Sequence, residues 1–134
     1  MNVLEAAFLT NPRFEDISEG RVTQSLRLLG DLKVFSASLN AFITVPAGFE
    51  FEESIPTMLF SIARPRGESK RAAAVHDFLY KHHAFETVLG WQFVSRREAD
   101  AVYYELLLAK GVHPVRAFIR WLAVRLGGGC KWKG

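Results

Sequence analysis

The sequence predicts an α+β fold: a small antiparallel β-meander over about residues 21–51, followed by three packed α-helices. Three observations carry that expectation. β-branched and aromatic residues crowd the first part of the chain, where apolar and polar positions alternate. An S-x-x-E capping box at Ser95 and Glu98 opens a run of good helix formers in the second part. Strands come first and helices second, the order of an α+β domain rather than of alternating βαβ units.

Residues 1–20 read as an N-terminal extension. In "RVTQSLRLL", Val22, Gln24, Leu26 and Leu28 alternate with Thr23, Ser25 and Arg27, and Gly30-Asp31 breaks the run. "LKVFSASL" and "AFITVPAGFEF" continue the sheet, the latter interrupted by Pro46 and Gly48, so that residues 21–56 form the sheet region. "EESIPTMLFSIARPRGES" is a connector with one helical turn after Pro56, ended by Pro65 and Gly67. The helices then occupy residues 69–127. The first spans Lys70 to His83 with Ser69 as N-cap, and a loop with Gly90-Trp91 follows. The second opens at the capping box and stops at Gly111. The third places Pro114 at its first position and repeats Val115, Phe118, Ile119, Leu122 and Leu126 at helical spacing. Residues 128–134 read as a frayed basic tail.

A chain of 134 residues forms one domain with a core of its own, and 49% hydrophobic with 23% charged residues is the composition of a globular protein. No apolar run reaches the roughly 20 residues of a bilayer span, so an integral membrane segment is not expected. The start, MNVLEAAFLTNPRF, lacks a basic head and does not read as a signal peptide. A lone Cys130 fits a reducing compartment, and the ending CKWKG is not a prenylation box. Charge is uneven. From His113 onward Arg116, Arg120, Arg125, Lys131 and Lys133 meet no acid. A solvated helix face with a basic end suits the macrodipole and is the favoured explanation, ahead of a surface for phosphates or acidic partners.

The segment "KRAAAVHDFLYKHH" holds three of the four histidines. His76 and Tyr80, four residues apart, share a helix face with small alanines that let a neighbour approach closely. An antiparallel return of the capped helix would bring Asp100 to His76. An imidazole held by a buried carboxylate is the arrangement of a general base, because the carboxylate sets the tautomer and stabilises the imidazolium. The same pair equally satisfies itself in a core, with Tyr80 and Tyr104 closing the network. Asp77 points about 100° away around the helix, free to ligate a cation or to pair with Lys81. Zinc is not expected, since no H-x-x-x-H occurs and the single Cys is in the tail. P-loop, dinucleotide and nucleophile-elbow motifs are absent.

The order "PAGFEFEESIP … RAAAVHDFLY … SRREADAVYYELLLAKGV" resembles a family of phage and prophage proteins of unknown function with an HDxLY helix and an RxxAD helix. The likeness spans about Val45 to Gly128. It departs where that family shows Thr-Asp and this chain has Phe51-Glu52. A more distant likeness is to phospholipases A2, whose HDxxY helix packs beside an "AD" helix. That resemblance implies His76 as general base, Asp100 as its orienting carboxylate, Asp77 as a calcium ligand and Tyr80 as a donor to the dyad. "RPRGES" has a single glycine where such calcium loops have several.

These readings imply a phage-encoded, non-catalytic virion (tail or baseplate) or accessory component, ranked just ahead of a hydrolase acting on an envelope ester through a His76–Asp100 dyad. A third expectation is a host-protein or nucleic-acid binder using the basic C-terminal helix. The first carries no cofactor, the second allows calcium. Partners would be other phage proteins or a host protein, and the chain would be made in the host cytoplasm, with incorporation into the virion open to it.

Overall fold

The computed structural model describes residues 7–19, 24–53 and 70–133. Five short strands open the chain: β1 (Phe14–Asp16), β2 (Gln24–Leu28), β3 (Leu32–Ser36), β4 (Ala41–Val45) and β5 (Glu50–Glu53). Helix α1 (Lys70–His82) follows, then β6 (Ala84–Thr87) and β7 (Gly90–Phe93). The chain ends in α2 (Arg96–Ala109), α3 (Pro114–Gly127) and α4 (Gly129–Lys133). The class is α+β, as expected.

The strands do not form one meander. β3 and β4 make a separate antiparallel hairpin, while β5 returns to lie beside β2 in the order β1-β2-β5. The reason lies in Pro46 and Gly48. Gly48 adopts φ +89°, a conformation open to glycine, and its N–H donates to the Leu28 carbonyl at 2.8 Å. That turn swings the chain off the hairpin and onto β2. Asp31 fixes the same corner by accepting from the Ala47 N–H at 2.8 Å. Alternation then decides the faces: Leu26, Leu28, Leu32, Val34, Ile43 and Val45 are all buried.

Residues 14–16, read from sequence as extension, are the edge strand of the three-stranded sheet. The expected loop around Gly90-Trp91 is an antiparallel hairpin, with Ala84 opposite Phe93 and Thr87 opposite Gly90. Its two-residue turn, Val88-Leu89, carries none of the usual Asn or Gly signals; Gly90, just beyond it, takes φ +110°. The expected basic tail is instead helix α4, seated on α1. Trp132 stacks on His83 with ring centroids 3.8 Å apart, and His83 Nε2 donates to the Trp132 carbonyl at 2.8 Å. The turn after Pro56 and the Ser69 cap lie outside the described residues.

Helix α2 begins and ends as its residues direct. Ser95 accepts from the Glu98 N–H and Glu98 reaches back to the Ser95 N–H. At the other end Gly111 takes φ +81°, its N–H donates to Leu108, and that of Val112 donates to Leu107. This is a Schellman closure, sealed by the buried Val112 and Leu107 side chains. His76 meets Asp100 while Tyr80 meets Arg96, so α1 and α2 run antiparallel. No helix among the described residues is long and apolar enough to cross a membrane.

Helix α3 keeps its Pro114 start but inverts the expected packing. The stripe of Val115, Phe118, Leu122 and Leu126 faces out, and the helix buries Ala117, Arg120 and Ala123. Its arginines are therefore not one solvated face: Arg120 is 3% exposed, and Arg116 and Arg125 are half-buried.

Candidate functional site

The polar centre lies where α1, α2 and α3 meet. Asp100, one turn into α2, is fully buried. His76 Nε2 donates to its Oδ1 at 2.7 Å, and the Tyr80 hydroxyl donates to the same oxygen at 2.6 Å. Arg125 of α3 takes the other oxygen, with Nη1 2.9 Å from Oδ2. One carboxylate thus joins three helices.

A second layer holds these donors. Arg96 Nε donates to the Tyr80 hydroxyl at 3.1 Å, while its Nη2 donates to the Val124 and Arg125 carbonyls. Those carbonyls lie in the last turn of α3, where a cation is favoured by the macrodipole. Gly128 sits against Tyr80. A β-carbon there would stand 2.7 Å from the hydroxyl and 2.5 Å from the Val124 carbonyl oxygen, so only glycine permits this approach.

The His76 ring is held between Tyr80 and Tyr103, with centroids 4.2 and 4.6 Å away. Tyr103 in turn accepts from Arg120 Nη1 at 3.2 Å. Tyr103, not the expected Tyr104, is the second tyrosine of the network: both flank the Asp100 face, one on each side, and the Tyr103 side is the one turned to His76 and Arg120. Tyr104 is a partly buried member of the apolar core.

Asp77 does not stand free. Its Oδ2 accepts from the Glu52 N–H at 3.1 Å, and its Oδ1 lies 3.8 Å from His76 Nδ1. Among the described residues no group of three or more His, Cys, Asp or Glu is placed to hold a metal. One Asp77 oxygen is thus engaged by the β5 backbone and the other faces His76.

These contacts set the protonation states. Burial alone would lower the His76 pKa, but the hydrogen bond to Asp100 and the nearby Asp77 carboxylate raise it above its ordinary value. Burial alone would raise that of Asp100, yet donation from His76, Tyr80 and Arg125 holds it below the ordinary range. Burial and the bond to Asp100 push the Tyr80 phenol well up, against the opposing pull of Arg96. The contacts thus favour an ionised Asp100 and the protonated form of His76, with a neutral Tyr80 phenol beside them.

Sequence reasoning named His76, Asp100 and Tyr80 but missed Arg96, Tyr103, Arg120 and Arg125. Two of these were signalled by spacing, since Arg96 and Tyr103 flank Asp100 at i−4 and i+3. Nothing local marked Arg125, whose partner lies 25 positions away.

Fold and site together define a small α+β domain whose helices are clasped by one buried carboxylate. The chain belongs to the DUF1353 family of proteins of unknown function, whose model matches residues 26–124. No curated protein and no solved structure matches it.

Proposed function

We propose that this protein is a non-catalytic structural component, a virion (tail or baseplate) or accessory protein of a phage or prophage, in which the His76–Asp100 pair clasps helices. The observation that carries the reading is the saturation of Asp100: it is sealed from solvent, and three donors take its two oxygens. A general-base dyad needs an imidazole that gives up its proton near the working pH and meets water at its free nitrogen. Here two carboxylates raise the His76 pKa against the opposing effect of burial, favouring the protonated ring, while the residue is only 6% exposed. Arg125 also competes for the charge that would otherwise serve the imidazole alone. The phage setting is supported by the HDxLY and RxxAD segments, read as a resemblance. Partners would be other phage proteins or a host protein, met through exposed apolar surface such as β7, all four of whose residues face solvent.

Replacing His76 by Ala tests this. The expected outcome is a loss of about 1–3 kcal/mol in unfolding free energy, from leaving buried partners unsatisfied. Wild type and variant should both leave short-chain esters and phospholipid vesicles unhydrolysed. Turnover by the wild type that vanishes in His76→Ala, at an unchanged thermal midpoint, would sink the proposal.

One observation favours the hydrolase alternative. Among the described residues His76 Nδ1 makes no hydrogen bond and faces Asp77 Oδ1 at 3.8 Å, so a water admitted there would find the nitrogen opposite the Asp100 bond. The same assay decides between the two.

A further inference from the structure

The inverted packing of α3 leaves a stripe that the other described residues do not cover. Val115 is 60% exposed, Phe118 51%, Leu122 38% and Leu126 80%. Ile119 and Trp121 flank it half-buried, with Trp121 against Phe118 at a centroid distance of 5.7 Å. A helix with charged residues on one side ordinarily turns that side to water. This one sends Arg120 into the α2–α3 seam and Arg125 to Asp100, so its outward stripe carries no charge.

We infer that this stripe is the interface of a two-fold symmetric dimer in which α3 packs antiparallel on α3 of a second copy. The stripe is self-complementary when reversed about position 120. Phe118 then meets Leu122 of the partner copy and Ile119 meets Trp121, each apolar on apolar, while Val115 and Leu126 lie one position out of register at the two ends. That is the requirement of an isologous contact, in which each residue meets its counterpart across the axis. Charge agrees with the geometry. Two copies of a helix bearing three arginines and no acid would repel if the arginines faced outward, but Arg120 and Arg125 are bonded within their own chain and Arg116 is half-buried. An acidic partner would find little charge on the stripe to answer it. The area also fits. With full side-chain areas of roughly 150–200 Å², the four exposed fractions amount to roughly 400 Å² per copy, and the half-buried Ile119 and Trp121 bring a pair toward about 1,000 Å², where specific interfaces begin. The dimer goes beyond the role proposed above and holds whether or not His76 is catalytic.

Sedimentation velocity on the full chain tests it, run from about 1 to 300 µM, the range in which an interface of this size associates. The wild type is expected to pass from monomer to dimer across that range. Phe118→Glu and Leu122→Lys, each at an exposed position, should each weaken self-association by about 30-fold or more while leaving the thermal midpoint of the diluted monomer in place. Mixing these two variants should restore a dimer. In the antiparallel register the introduced acid of one chain faces the introduced base of the other, and the second Phe118–Leu122 contact stays intact. A wild type that stays monomeric at the highest concentration overturns the proposal. So does a dimer indifferent to both substitutions, and so does a mixture no more associated than its parts.

Discussion

Helices α2 and α3 have the same length and comparable apolar periodicity, yet they bury opposite kinds of side chain. α2 turns Val102, Leu106 and Leu107 inward, as its pattern directs, and adds a single buried acid, Asp100. α3 turns its large apolar residues outward and buries Ala117, Arg120 and Ala123. The difference follows from that acid. A buried carboxylate costs far more to leave uncompensated than a few exposed apolar side chains do, so the helix beside it must offer cations. Small Ala117 and Ala123 let α3 come close enough for Arg120 and Arg125 to reach Tyr103 and Asp100. Periodicity thus tells that a helix has two faces, and the neighbour's chemistry decides which one is buried.

The most direct way to break this comparison is to remove its cause. Asp100→Ala leaves His76 and Arg125 as buried or half-buried cations without their carboxylate, and should cost about 3–5 kcal/mol of unfolding free energy. Urea denaturation would measure it; a loss under about 1 kcal/mol would mean the three helices do not depend on this residue.

The next test contrasts the two apolar faces. Leu106→Ala, in the sealed face of α2, should cost about 2–5 kcal/mol, whereas Leu126→Ala, on the outer face of α3, should stay within about 0.5 kcal/mol in the dilute monomer. Comparable costs at the two positions would show that α3 is packed the other way round.

A smaller effect sharpens the account of the clasp. The His76 pKa is raised above 6.5, so its contribution is complete below that value and is lost as pH climbs through the raised one. The Asp100 pKa is lowered beneath 3.8, so its contribution is complete above that value and is lost as pH falls through the depressed one. The clasp therefore contributes most between about 4 and 6.5, the interval bounded by the two ordinary values. The urea midpoint of the wild type should decline on the alkaline side of that interval, and His76→Gln should flatten that decline. An alkaline limb unchanged by the substitution would assign it to another group.

Much of the molecule could be read along the chain because its causes are local. The Ser95–Glu98 box and Gly111 bound α2 through contacts spanning a few residues, and Pro114 starts α3 in the same way. The α1 face was legible too, since His76 and Tyr80 lie one turn apart on a helix rich in buried alanine. The pairing of strands was not. Whether β5 joins β4 or β2 depends on a positive φ at Gly48 and on the Asp31 bond to Ala47, neither of which alternation encodes. The β6–β7 hairpin escaped because its turn is Val88-Leu89, without the residues that usually announce one. α4 escaped because its anchor, His83, is 49 residues distant from Trp132.

The class of fold, the ends of α2, the start of α3, and the histidine, tyrosine and aspartate of the clasp are written in local residues, since propensity, capping and periodicity act over one or two turns. Long-range contacts alone settle which strands pair, which tyrosine closes the network, and that α3 buries Arg120 while its leucines face out. Those outcomes depend on what each side chain meets across the fold, and the electrostatic demand of a buried Asp100 outweighs the ordinary preference of Phe118, Leu122 and Leu126 for the interior.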